Sequence, residues 1–404
     1  LRIRGEIDTE YIFKGTLEAQ KSTDYEAKED GFNGVLRSIL FWRSFLQWLG
    51  GGVAIFFFLA ILPILEFEGG HLQFGAQEYL KKSLTFPLRS TVLLIGFIYC
   101  AFTLLELFLL MITNSQMQWF DALTLSFSTI STGGFSIHQN NIGFYQNSNT
   151  EWVIFAFMII GAINFILYFY LLKGKIYKLY SPKIAIYFSL IMASGFFAAW
   201  YLYGIQKIDI NGDRIGFFAT PEALRHGFFQ MASSMTTTGF KTMNYDLWPY
   251  PLQFLMLVLT YIGGMTGSSA GGLKVIRVYL LFRIFFNRLV LFFKPSVVKP
   301  LRIGSHIITS GETVSIFSLF FVTILFAILG TFLLIIDGVD PETAFGLISS
   351  AQNNSGISFR EAGPHLSCAF LSNTGLIITS IWMILGRLEF LAFLVLLIPS
   401  FWKR

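Results

Sequence analysis

A chain of 404 residues that is 54% hydrophobic, 17% aromatic and only 13% charged is not built like a soluble domain. Its net charge of +5 is too small and too scattered for nucleic-acid binding, and its two cysteines, Cys100 and Cys368, form no CxxC pair. The apolar runs are about 20 residues long and continuous, which points to bilayer-crossing helices and not to the short alternating strands of a β-barrel.

Residues 1–35 are hydrophilic, lack apolar periodicity and lack a signal peptide, so an exposed irregular or partly helical segment is expected. The first span covers 39–65, opened by Phe41-Trp42-Arg43 and broken by Pro63. An amphipathic piece at 71–82 leads to a second span at 88–112. Glu106 inside that span is expensive in lipid and should face the interior, held by a structural partner or serving an ion. A half-helix at 119–127, a loop at 131–136 and an Asn-rich loop at 138–150 follow, then a span at 152–172. The order repeats with a span at 184–203, a half-helix at 221–233 opened by Pro221, and a span beginning near Leu252. It repeats again with a span at 314–336, a half-helix at 341–350 and a closing span from about Cys368 to Pro399. Both cysteines lie in or beside apolar runs and are expected to be packed thiols.

Three stretches after the half-helices echo one another: Ser131-Thr132-Gly133-Gly134-Phe-Ser, Thr236-Thr237-Thr238-Gly239-Phe and Gln352-Asn-Asn354-Ser355-Gly356. Gly239 lies 105 residues after Gly134, and Gly356 a further 117. Lipid cannot satisfy bare backbone, so a polar glycine loop between two spans must be buried or line a water-filled path. Its known physical use is a ring of main-chain carbonyls that replaces an ion's hydration shell. Without such compensation a dehydrated cation costs on the order of tens of kcal/mol, so several loops must meet at one axis. Ser131, Thr132, Gly133, Gly134, Thr237, Thr238, Gly239, Asn354, Ser355 and Gly356 are therefore expected to form parts of an ion-selectivity filter. Small-residue helix packing is the competing reading, but packing motifs sit within helices, whereas these follow a half-helix and precede a polar loop.

The span beginning near Leu252 is interrupted by Gly263-Gly264-Met-Thr266-Gly267-Ser268-Ser269-Ala-Gly271-Gly272-Leu-Lys274. A helix cannot persist through five such glycines, so this stretch should lie in the pore beneath the filter. Gly267 to Gly271 matches GxSxG, but the strand-to-helix context of a nucleophile elbow is missing. Leu273 stands where a phosphate loop needs lysine, and the five histidines show no ligand spacing, so no enzyme and no metal site is expected. Arg387, in Gly-Arg-Leu-Glu, either snorkels to the interface or points at the pore beneath the filter. Basic residues cluster after each closing span (Lys81 and Lys82, Lys173 to Lys183, Lys294 and Lys299, Lys403 and Arg404), which places those connections in the cytoplasm and the filter loops outside.

With these stretches assembled, the chain resembles the membrane subunit of the Trk/Ktr/HKT potassium-transporter superfamily, and within it the TrkH branch. Phe41-Trp-Arg-Ser-Phe-Leu-Gln-Trp-Leu-Gly-Gly, the three glycine stretches, the Gly263–Lys274 block and Gly386-Arg-Leu-Glu carry the likeness from about Arg37 onward, the last two most specifically. The resemblance implies an all-α polytopic membrane protein of four span–pore-loop–span units around one pore. It implies filter glycines at Gly134, Gly239 and Gly356 and a gate of Gly263, Gly264, Thr266, Gly267, Ser268, Ser269, Gly271, Gly272 and Lys274 with Arg387 nearby. It further implies K+ as the transported ion, a homodimer in the bacterial inner membrane, and a cytosolic nucleotide-sensing regulatory subunit of the TrkA type. No Rossmann fingerprint occurs in this chain, so nucleotide is expected only on that partner. The family has a span and filter loop before the Phe41-Trp-Arg helix, and residues 1–35 contain neither. The expected division is a polar segment at 1–36, the closing span of an incomplete first repeat at 37–70, and repeats at 71–183, 184–300 and 301–404. Sodium-permeable or sodium-coupled transport, and a non-conducting membrane subunit, are the alternatives.

Overall fold

The computed structural model describes residues 35–56, 88–208, 214–293, 302–303, 306–307, 310–364, 366–388 and 390. Residues 1–34, Pro63, the 71–82 piece and most of the basic clusters expected on the cytoplasmic side lie outside them, as does the end of the closing span.

The chain is helical: α1 (Arg37–Phe56), α2 (Leu88–Thr113), α3 (Trp119–Ile130), α4 (Ser148–Gly161), α5 (Phe165–Leu172), α6 (Pro182–Leu202), α7 (Thr220–Met235), α8 (Tyr250–Ile262), α9 (Val275–Phe293), α10 (Ser310–Ile336), α11 (Pro341–Asn353) and α12 (Asn373–Arg387). Among the described residues there are two small antiparallel strand pairs, β1 (Gln206–Ile208) with β2 (Arg214–Phe217) and β3 (Arg302–Ile303) with β4 (His306–Ile307). Among the described residues, four helices (α1, α2, α6 and α10) are long and apolar enough to cross a membrane, and the α4–α5 pair makes a fifth if taken as one span.

Long and short helices obey different rules. The long ones are apolar around most of their circumference and leave side chains such as Phe97, Trp200 and Phe321 exposed, as a lipid-facing wall does. The short ones, α3, α7 and α11, are rich in Ser, Thr and amides, yet mostly buried. Burying them is tolerable because their hydroxyls bond back into the helix. Ser126 donates to the Ala122 carbonyl (2.7 Å), Thr129 to Leu125 (2.8 Å), Ser234 to Gln230 (2.8 Å) and Thr236 to Ala232 (2.8 Å). Pro221 and Pro341 occupy first-turn positions, where the missing N–H costs nothing. The largest core wraps α7 with Tyr187 and Ile191 of α6, Met256 and Leu259 of α8, and Ile357 and Phe359 beyond α11. A second core joins α1, α2, α3 and α5 through Ile55, Tyr99, Ile130 and Phe165.

The span expected at 152–172 is not continuous: α4 and α5 meet at 92°. Asn164 starts α5, its side chain accepting from the Ile166 N–H at 2.9 Å, and Ala162 turns its carbonyl outward to the Met265 N–H at 3.0 Å. The apolar run hides the break because neither an alanine nor one asparagine interrupts hydropathy. Replacing Asn164 by alanine removes that cap and should lower stability by about 1 kcal/mol, read as a lower melting temperature in detergent. The packed-thiol expectation is also corrected. Cys100 and Cys368 are free and exposed, Cys100 on the outer flank of α2. A thiol is apolar enough to face lipid as readily as a core. Glu106 does face the interior, where it is fully buried.

Candidate functional site

Three turns, at the ends of α3, α7 and α11, share one backbone geometry. Each first adopts the left-handed region at a residue that is not glycine: Thr132 (φ 51°), Thr237 (φ 53°) and Asn354 (φ 50°). The next N–H then closes back on the helix: Gly133 onto the Ser128 carbonyl at 2.7 Å, Thr238 onto Ser233 at 3.0 Å, and Ser355 onto Ser350 at 3.0 Å. One residue later the chain is left-handed again, at Gly134 (68°), Gly239 (84°) and Gly356 (71°). Left-handed backbone is strained for a β-branched threonine and survives where surrounding structure enforces it, typically at functional sites.

These turns meet. A methyl group on Gly134 would strike the Thr238 carbonyl oxygen, and one on Gly239 would strike the Ser355 carbonyl oxygen. Beside Gly356, the same methyl position is 4.0 Å from the Gly239 Cα. The first turn therefore abuts the second, and the second the third. Many side chains of the predicted filter are already engaged. Ser131 donates to the Phe127 carbonyl (2.7 Å), Thr132 to the Ser131 carbonyl (2.7 Å), and the Thr236 and Thr238 hydroxyls bond each other (2.8 Å). Asn354 donates to the Met383 carbonyl at 3.1 Å. What this centre offers a cation is mainly main-chain oxygen. Three helix C-termini aim at it, each carrying about half a negative charge.

The glycine stretch after α8 crosses directly against all three turns. The Ser269 hydroxyl lies 3.2 Å from that of Thr132 and donates to the Ile130 and Gly161 carbonyls, both at 3.1 Å. The Gly271 N–H donates to the Thr237 hydroxyl at 2.7 Å, and a methyl on Gly271 would strike the Asn353 carbonyl oxygen. Left-handed backbone at Gly263, Gly267, Gly272 and Lys274 folds the stretch this tightly. Gly264 packs on Ala162 and Ala270, Gly267 on the Asn164 side chain, and Gly272 on Gly263. The Ser268 hydroxyl is spent on Met265 (2.6 Å), and the buried Lys274 ammonium on the Ala270 carbonyl (2.5 Å). The half-buried Thr266 hydroxyl has no partner among the described residues. Arg387 reaches inward, donating from Nη1 to the Ser269 carbonyl at 3.0 Å. Replacing Thr237 by valine strands the Gly271 N–H and should cost about 1–3 kcal/mol, checked by thermal unfolding.

Sequence reasoning passed over several residues that build this centre. Gln47 of α1 fills the space over Gly133, and Asn164 and Ala162 bracket the glycine stretch. Just past the second turn, the Lys241 carbonyl accepts from the Ile142 and Gly143 N–H groups (3.1 and 3.3 Å), and burial pushes its ammonium down to about 8. At the head of α7, Glu222 lies below the ordinary carboxylate range because Lys207 bonds it at 2.7 Å. The detectable signal was chemical: isolated amides inside otherwise apolar segments.

The fold and its converging glycine turns define an all-α polytopic membrane protein of span–pore-loop–span units. The TrkH cation transport protein family model matches residues 28–404. The chain is 31% identical over 376 residues to the Trk system potassium uptake protein TrkH of Halomonas elongata, covering 93% of this chain and 76% of that one. It is 30% identical over 394 residues to the protein of the same name from Escherichia coli, with the same coverage. The crystal structure of the potassium transporter TrkH from Vibrio parahaemolyticus superposes with a TM-score of 0.77 at 28% identity, covering 91% of this chain and 74% of that one. The chain belongs to the TrkH family of cation transport proteins.

Proposed function

We propose that this chain carries potassium into the bacterial cytoplasm across the inner membrane. The supporting observation is the backbone geometry repeated at Thr132–Gly134, Thr237–Gly239 and Asn354–Gly356 on three adjoining turns. In this reading K+ enters from outside and exchanges water for main-chain oxygens of the three turns, with the C-terminal ends of α3, α7 and α11 favouring positive charge. An inside-negative potential contributes about 2.3 kcal/mol per charge per 100 mV. The Gly263–Lys274 stretch, lying against Thr132, Thr237 and Asn353, closes the path, and Arg387 holds it there. The chain is not an enzyme; it translocates the ion unchanged.

Its repeats run 71–183, 184–300 and 301–404, preceded by the polar segment 1–36 and a single closing span at 37–70. It pairs as a homodimer, with filter loops outside and the C-terminus in the cytoplasm, where a nucleotide-sensing subunit of the TrkA type acts on the gate. The relatives' potassium uptake and the family's cation transport support the choice of ion. Purified protein in liposomes under an inside-negative potential should accumulate rubidium in sodium-free medium. Uptake that requires sodium, or flux equal for the two ions, would refute the potassium assignment.

A further inference from the structure

The three turns are not held alike. The first is wedged against the Thr238 carbonyl and the second against the Ser355 carbonyl, whereas the Gly356 side of the third has no described neighbour closer than the Gly239 Cα. The outer seam between the first and second turns is closed by neutral bonds, from Ile142 and Gly143 to the Lys241 carbonyl and from the Lys241 N–H to the Asn141 side chain (3.3 Å). The outer seam between the second and third turns is ionic. Arg360, four residues past Gly356, donates its backbone N–H (3.1 Å) and Nη1 (3.0 Å) to Asp246 Oδ1, and Nε to Glu342 Oε2 at 2.6 Å. Asp246 follows the second turn, while Glu342 begins α11, the helix that carries the third. Arg360 is itself left-handed (φ 58°), and its guanidinium lies 5.3 Å from the centre of the Tyr250 ring. One residue earlier, Phe359 meets buried Tyr245 edge-on at 5.8 Å. A strained backbone residue held by three charge-assisted bonds to two segments is over-determined, the condition under which strain persists.

We infer that Arg360, through Asp246 and Glu342, is the positioning residue that sets the distance of the third glycine turn from the second, and so the discrimination between potassium and smaller sodium. The inference rests on the proposed transport function. Loosening this clasp lets the Ser355 and Gly356 oxygens drift toward a smaller ion without dismantling the path. Arginine suits the role because its rigid fork serves both carboxylates at once; lysine does not supply that geometry.

The test compares rubidium and sodium flux in liposomes for Arg360→Gln, Asp246→Asn, their combination and the milder Arg360→Lys, with hydrogen exchange followed over residues 355–360. The rubidium-to-sodium ratio should fall about tenfold in Arg360→Gln, the scale of losing one hydrogen bond to a charged group. Arg360→Lys should fall between it and wild type, and the double variant should be no worse than the worse single, because both break one clasp. Exchange should quicken at residues 355–360 in every variant. An unchanged ratio in folded Arg360→Gln and Asp246→Asn overturns the inference, as does a lower melting temperature with the ratio intact. If wild type carries no rubidium, the transport function falls instead; exchange that then stays unchanged in the variants overturns the clasp as well.

Discussion

Gly239→Ala should abolish rubidium uptake, while Gly356→Ala should retain a measurable fraction of it. Both glycines are left-handed (φ 84° and 71°), so either alanine is strained, by about 1–2 kcal/mol in that region. The difference is space. An alanine methyl at 239 collides with the Ser355 carbonyl oxygen, and backbone cannot swing aside as a flexible side chain does. At 356 the same methyl has, among the described residues, the Gly239 Cα as its one neighbour within 4 Å, at 4.0 Å. Gly134→Ala should behave like Gly239→Ala, since it meets the Thr238 carbonyl oxygen. Uptake by the three variants, measured at matched amounts of folded protein, checks the ranking. Wild-type flux through Gly239→Ala would remove this turn from the ion path.

Arg387→Gln should raise rubidium flux in the absence of any regulatory subunit. The guanidinium donates to the Ser269 carbonyl at 3.0 Å, and Ser269 in turn bonds the Ile130 and Gly161 carbonyls. Losing a hydrogen bond from a charged group is worth about 1.5–3 kcal/mol, so the closed arrangement should lose at least about tenfold in population. Deleting residues 268–271 should leave the path open altogether. If neither the substitution nor the deletion changes flux, the glycine stretch is not the gate.

How much of this was legible beforehand differs from one element to another. The half-helices ahead of the second and third glycine turns were readable because Pro221 and Pro341 mark starts and the run of serines and threonines marks the end. The break after Ile262 was readable because five glycines cannot continue a helix. The 92° bend between α4 and α5 was not, because its cause lies about a hundred residues away, in the glycine stretch that bonds the Ala162 carbonyl and packs on Asn164. The Arg360 clasp was equally hidden. Nothing local in Ser-Phe-Arg-Glu distinguishes a solvated arginine from one holding Asp246, 114 residues earlier in the chain.

Composition and hydropathy by themselves determined that the chain is helical and membrane-embedded, and its repeated small polar residues before glycine marked which segments leave the helix. Both are short-range properties, settled by whether a backbone group finds a partner within its own helix or must be shielded from lipid. Tertiary structure alone decided which turn abuts which, that Arg387 points inward at Ser269, and that the seam beside the third turn is ionic. Those outcomes depend on contacts between segments far apart in the chain, where geometry and not local preference selects the partner.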